Sequence, residues 1–167
     1  MILGMSLSTF TVFHTALSLI ALIAGIFAVM GLIGGRRHNG WIGLFLLTAV
    51  LTSVTGFAFP FDKLLPSHIL GILSLVALAI SLLAIYVFHV DGAWRWIFAI
   101  SAVIALYFDA FATVAQSFLK IAALKSLAPT QSEPPFLIAQ GVLLAIFVVL
   151  VITAAVRFHP ERTVTSH

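Results

Sequence analysis

Cysteine is absent from this chain of 167 residues. Disulfides, thiolate metal centres, Fe–S clusters and c-type haem attachment are thereby excluded. Charge is scarce as well, at 8% of residues, against about 25% in an ordinary soluble domain. The 8 basic and 5 acidic residues leave a net charge of +3, too small and too scattered for a nucleic-acid surface. Strand-like alternation is lacking, which excludes a β-barrel. There is no G-x-S-x-G elbow, no H-E-x-x-H pair and no phosphate-cradling glycine loop, so nucleophilic and nucleotide chemistry have no support, and the chain reads as a non-enzyme. Gly31-Leu32-Ile33-Gly34-Gly35 reads as helix-end punctuation or close packing rather than a nucleotide site. The N-terminus lacks the basic stretch of a cleavable signal, and Phe10–Ile33 is long enough to span, so a retained first helix is expected.

What is abundant is hydrocarbon: 62% of the residues are hydrophobic. A soluble fold of this size cannot hide so much apolar surface, so the chain belongs in a membrane. Five apolar runs, about 9–34, 41–59, 67–90, 94–118 and 136–157, approach the ~20 residues needed to cross the hydrocarbon core. Ser8 or Thr9 is expected to cap the first and Ser67 the third, while the fourth extends as an amphipathic tail to Leu127. Pro60, Pro66 and the breaker-rich 129–135 segment punctuate the rest. Short linkers make neighbouring helices antiparallel. The expectation is an all-α, five-transmembrane-helix bundle forming a single integral membrane domain over 1–167.

The first two hairpins echo each other. Phe13-His14-Thr15-Ala16-Leu17-Ser18 can be set beside His68-Ile69-Leu70-Gly71-Ile72-Leu73-Ser74, and His38-Asn39-Gly40-Trp41 beside His89-Val90-Asp91-Gly92-Ala93-Trp94. This pattern fits two parallel two-helix repeats plus a fifth helix. Chance alignment of leucine-rich helices gives a similar pattern.

Arg36, Arg37, Arg95, Arg157 and Arg162 fall on one side of the membrane, and Lys63, Lys120 and Lys125 on the other. The positive-inside rule then puts the arginine side in the cytoplasm, the N-terminus outside and the C-terminus inside.

Asp109 is a lone carboxylate inside the fourth run. An aspartate at the bilayer centre costs about 2.5–3.5 kcal/mol on insertion scales, so it is expected to face a partner or water. Helical spacing sets Asp109, Thr113, Gln116 and Lys120 in one stripe, and Thr48, Thr52 and Thr55 in another. On the first helix His14 and Ser18 share a face with Ala21, Gly25 and Ala28, a small-residue surface suited to helix contact. His68 opens the third helix on the same outer side. The polar groups thus predict an outward-facing wet pocket of Asp109, His14, His68, Thr113, Gln116, Thr52 and Thr55. A structural reading competes for several of them: intramembrane threonines bond their own helix backbone, and Gln116 can bridge helices.

Three chemistries fit this pattern. The first is handling of a small solute or an ion (proton), with Asp109 titrating and His14 or His68 relaying. The second is an accessory or assembly subunit, bound to a larger membrane complex or to further copies of itself. The third is a b-type haem or a divalent metal held by His14 and His68, with Asp109 as an added metal ligand. His89 cannot share a haem with His68: 21 residues separate them along one helix, about 30 Å.

The stretches Thr55-Gly56-Phe57-Ala58-Phe59-Pro60-Phe61-Asp62-Lys63-Leu64-Leu65-Pro66-Ser67-His68 and Leu127-Ala128-Pro129-Thr130-Gln131-Ser132-Glu133-Pro134-Pro135-Phe136 resemble those of small uncharacterised (hypothetical) bacterial polytopic inner-membrane proteins with no known activity. The resemblance covers nearly the whole chain. It implies a bacterial inner-membrane location and assigns no site residue.

Overall fold

The structure, a computed structural model, describes residues 2–63 and 65–159. Among these residues lie six helices: α1 Leu7–Ile33, α2 Asn39–Gly56, α3 Pro66–Leu82, α4 Trp94–Lys120, α5 Ala122–Leu127 and α6 Pro134–Arg157. All but α5 are long and apolar enough to cross a membrane, α3 together with the turn that follows it. The expected all-α bundle of five spans is what the chain forms.

Several boundaries differ from expectation. Ser6, not Ser8 or Thr9, caps α1: its backbone is extended and its Oγ accepts the Thr9 N–H at 3.1 Å. Ser67 lies inside α3, behind Pro66 in the first helical turn. The cap there is His68, whose Nδ1 accepts the Leu65 N–H at 3.0 Å. Past Leu82 the α-helix widens into a π turn, Leu83–Val87, and the chain leaves it through His89 and Val90, both with positive φ. Val90 is fully packed in the core and its N–H reaches Ala84 O at 2.8 Å, which offsets the strain of a β-branched residue in that conformation. The amphipathic tail of the fourth helix is not continuous. Extended Ile121 breaks it, and α5 folds back so that Leu124 and Ala128 join Phe118 and Phe136 in a small cluster.

Helices α1 to α4 close a ring in chain order, α4 against α1, and α6 lies outside against α4 and α1. Alternating directions bring the start of α1, the end of α2, the start of α3 and the end of α4 to one end of the bundle. Lys63, Lys120 and Lys125 lie at that end. Arg36, Arg37, Arg95 and Arg157 lie at the other, where Arg95 Nη1 donates to Phe158 O at 3.0 Å. Arg162 lies outside the described residues. The two hairpins have one feature in common: Trp41 stacks on Phe27 at 4.7 Å, and Trp94 on Phe88 at 3.8 Å.

Lipid tails are as apolar as leucine, so close packing and polar bonds, rather than escape from water, hold membrane helices together. The arginine-side half of the bundle shows this. Ala21, Ala24, Gly25 and Ala28 of α1 are buried opposite Ala99, Ala102 and Ala105 of α4. Between α3 and α4, Ser81 and Ser101 share a buried hydroxyl–hydroxyl bond of 2.7 Å. Gly25 is the tightest point. A Cβ there would sit 2.9 Å from Phe45 Cδ2 and closer still to Leu106 Cδ1. Both neighbours are fully packed, so neither has space to retreat. Gly25→Val is expected to destabilise the protein by about 1–3 kcal/mol, the usual range for overpacking. Thermal unfolding in detergent measures it, and an unchanged midpoint would show that α1 does not approach α2 and α4 this closely.

Candidate functional site

The other half of the ring is not filled. A cavity of about 530 Å³ lies between the first half of α1, the last turns of α2, the start of α3 and the second half of α4. The phenylalanine-rich loop that follows α2 walls it, with Phe59 packed on Phe10 at 4.9 Å and on the His14 ring at 5.2 Å. Of the seven residues singled out from the sequence, His14, Thr52, His68, Asp109, Thr113 and Gln116 line the cavity. Thr55 does not, but it bonds to one that does.

Asp109 is half-buried, about 16 Å of helix rise below Lys120 on α4. Its Oδ1 accepts the Ser18 hydroxyl of α1 at 2.7 Å. Its Oδ2 is buried and has no partner among the described residues. Thr52 Oγ1, on α2, is in the same condition. Both residues line the one cavity, and each has a buried, unanswered oxygen. A buried polar group without a partner costs about 1–3 kcal/mol, so both call for water or a ligand.

One turn before Ser18 on α1, His14 reaches the opposite way, with its Nδ1 2.9 Å from Thr55 Oγ1. The single Thr55 proton goes to Leu51 O at 2.7 Å. The hydroxyl therefore accepts and His14 Nδ1–H donates. In the neutral ring this leaves the Nε2 lone pair free. His68 has the reverse tautomer. A backbone N–H can only donate, so His68 Nδ1 carries no proton and Nε2 holds it. Its ring is buried, 4.1 Å from Phe61 and 5.6 Å from Phe57.

These partners lend the haem and metal readings no support. His68 in this tautomer offers no free lone pair to iron or zinc, because one nitrogen accepts and the other is protonated. Among the described residues no three His, Asp or Glu side chains come together as a metal site, and His14, Asp109 and His68 each bond elsewhere. Of the two histidines expected to relay, His14 is the one with a lone pair left over, on Nε2. Thr113 follows the structural reading, its hydroxyl donating to Asp109 O at 2.8 Å. Gln116 is exposed at the rim, together with Lys120.

Ser18 is the functional partner that the sequence pattern left without a role. Its spacing of four from His14 was the available signal. Ser53 and Ser74, bonded to each other at 3.2 Å across α2 and α3, also line the wall. Asp109 and His14 Nε2 offer acceptors, the Thr52 hydroxyl and the Gln116 amide can accept or donate, and Lys120 donates at the rim.

Ser18→Ala is expected to destabilise the protein by about 1–3 kcal/mol, since it leaves Asp109 with two unanswered oxygens. Adding Asp109→Leu is expected to restore most of the loss, because an apolar pair needs no bond. Unfolding midpoints of the two variants test this; a double variant no better than the single would place the Ser18 role elsewhere.

Comparison with known proteins finds no matching family model, no matching curated protein and no matching solved structure. The chemistry of the cavity therefore rests on its own side chains.

Proposed function

We propose that this membrane protein takes up a small hydrogen-bond-donating solute, or a proton, into the cavity at its lysine end, with Asp109 as the group that receives it. The observation that carries the reading is Asp109, which lines a cavity of about 530 Å³ and has a buried Oδ2 without a partner among the described residues. An ionisable residue at membrane depth is expensive and marks ion or substrate pathways in general. Here a donor-bearing solute would satisfy both Oδ2 and Thr52 Oγ1. His14 Nε2 stands on the same wall to accept or return a proton. The cavity opens outward in this reading, since the arginine end has the stronger claim to the cytoplasm. The membrane is a bacterial inner membrane, in line with the resemblance of the loop sequences.

The remainder of the bundle supports handling from one face. The arginine-side half is packed by small residues and by Phe45, Leu106 and Phe98. A solute bound at Asp109 would cross only if this half opened, so binding and proton exchange come before transport. The accessory-subunit reading makes no use of the cavity.

Proteoliposomes containing the protein and an internal pH-sensitive dye provide the test. A panel of small amines, amino acids and alcohols is added outside. At least one member is expected to drive a proton movement that Asp109→Asn reduces tenfold or more. Movement that survives Asp109→Asn unchanged would remove Asp109 from the mechanism. A protein that moves nothing in vesicles and purifies in mild detergent only with larger partners would favour the accessory role instead.

A further inference from the structure

A second, separate groove of about 400 Å³ lies at the arginine end, between the last turns of α1 and the start of α2. One wall is apolar: Phe27 and Trp41 stack at 4.7 Å with their planes 25° apart, and Met30 is exposed beside them. The other wall is basic, formed by Arg36 and His38. Of the basic side chains in this turn, only Arg37 has a hydrogen-bond partner among the described residues, Asn39 Oδ1 at 2.8 Å. Arg36 therefore lines the groove with its donors unanswered.

The groove is built by Gly31. Arg36 N–H bonds back to Gly31 O at 2.9 Å, which tightens the turn. A Cβ on Gly31 would lie 2.6 Å from His38 Cδ2, so only glycine lets the His38 ring fold against α1. The start of α2 has no side-chain cap and adds a field of the same sign.

Below the groove the apolar wall continues toward the bilayer interior. Ile23, Ile26, Phe27 and Met30 form an exposed track along α1. A cationic mouth, a tryptophan at its edge and a hydrocarbon track beneath it match the three parts of a phospholipid: phosphate, glycerol region and acyl chain. Free phosphate or a soluble anion would use only the first part.

We infer that the groove formed by Phe27, Gly31, Arg36, His38 and Trp41 is a binding site for an anionic phospholipid, with the phosphate on Arg36 and His38 and an acyl chain along α1. The site is independent of the cavity at the other end. Its occupant pins the α1–α2 turn at the interface, next to the small-residue seam that holds the bundle closed.

Native mass spectrometry of the whole protein, released from micelles holding equal phosphatidylglycerol and phosphatidylcholine, tests the assignment. Wild type is expected to retain phosphatidylglycerol several-fold more than phosphatidylcholine. Arg36→Gln is expected to lower that preference about fivefold, the effect of one basic group near a membrane surface. Lys63→Gln, an equal change of charge at the opposite end, is expected to leave it unchanged. Equal retention of the two lipids would overturn the proposal. So would a preference that survives Arg36→Gln, or one that falls equally in Lys63→Gln. Displacement of the lipid by millimolar inorganic phosphate would overturn it in favour of a simple anion site.

Discussion

The hydrogen bond from Ser18 to Asp109 is the interaction on which the polar half of this bundle depends. It joins α1 to α4 across the cavity and answers one oxygen of a carboxylate that lies at membrane depth. A carboxylate at membrane depth is costly unless it is bonded, so such a bond both holds helices together and fixes where a ligand can go. The companion bond from His14 to Thr55 joins the same helix to α2. From one face, α1 thus ties two neighbours one turn apart and leaves a space between them.

The same face of α1 changes character half-way along. Toward the lysine end it carries His14 and Ser18, which reach across gaps. Toward the arginine end it carries Ala21, Ala24, Gly25 and Ala28, which close them. Small residues bring backbones together, and hydroxyl and imidazole groups keep them apart at bonding distance. A single stripe with two chemistries therefore builds a bundle that is dense at one end and hollow at the other. The phenylalanines of the loop after α2 then wall the hollow end, with His68 capping the helix that follows.

The fold was legible in the sequence because bilayer thickness sets a length that few apolar runs meet by accident. The faces of the helices were legible for a similar reason: steps of three and four placed Asp109, Thr113 and Gln116 in one stripe and His14 with Ser18 in another. Partner identity was not legible, because it depends on contacts between helices. Nothing in the local sequence tells that Asp109 meets a serine rather than a histidine or lysine, or that Thr113 turns to its own backbone. Nor does it tell that His68 serves a cap, which required the position of the Leu65 N–H. Helix starts failed where capping residues crowd together, as with Ser6, Ser8 and Thr9. The break at Ile121 was hidden because the residues after it keep an amphipathic pattern that suits either a continued helix or a new one. In the hairpin comparison, His14 and His68 align by sequence yet hold opposite tautomers, so the similarity between the hairpins does not extend to their chemistry.

The absence of cysteine allows the central claim, a water-accessible cavity reaching the level of Asp109 from the outside, to be tested without a background to remove. Single substitutions Thr52→Cys and Thr113→Cys place a thiol in the cavity wall, and Ala102→Cys places one in the packed half. Intact cells treated with a charged, membrane-impermeant maleimide report which of these thiols meets external water. Rapid labelling of the two cavity variants and none of Ala102→Cys is expected. Protection of both cavity variants, or equal labelling of all three, would contradict the claim.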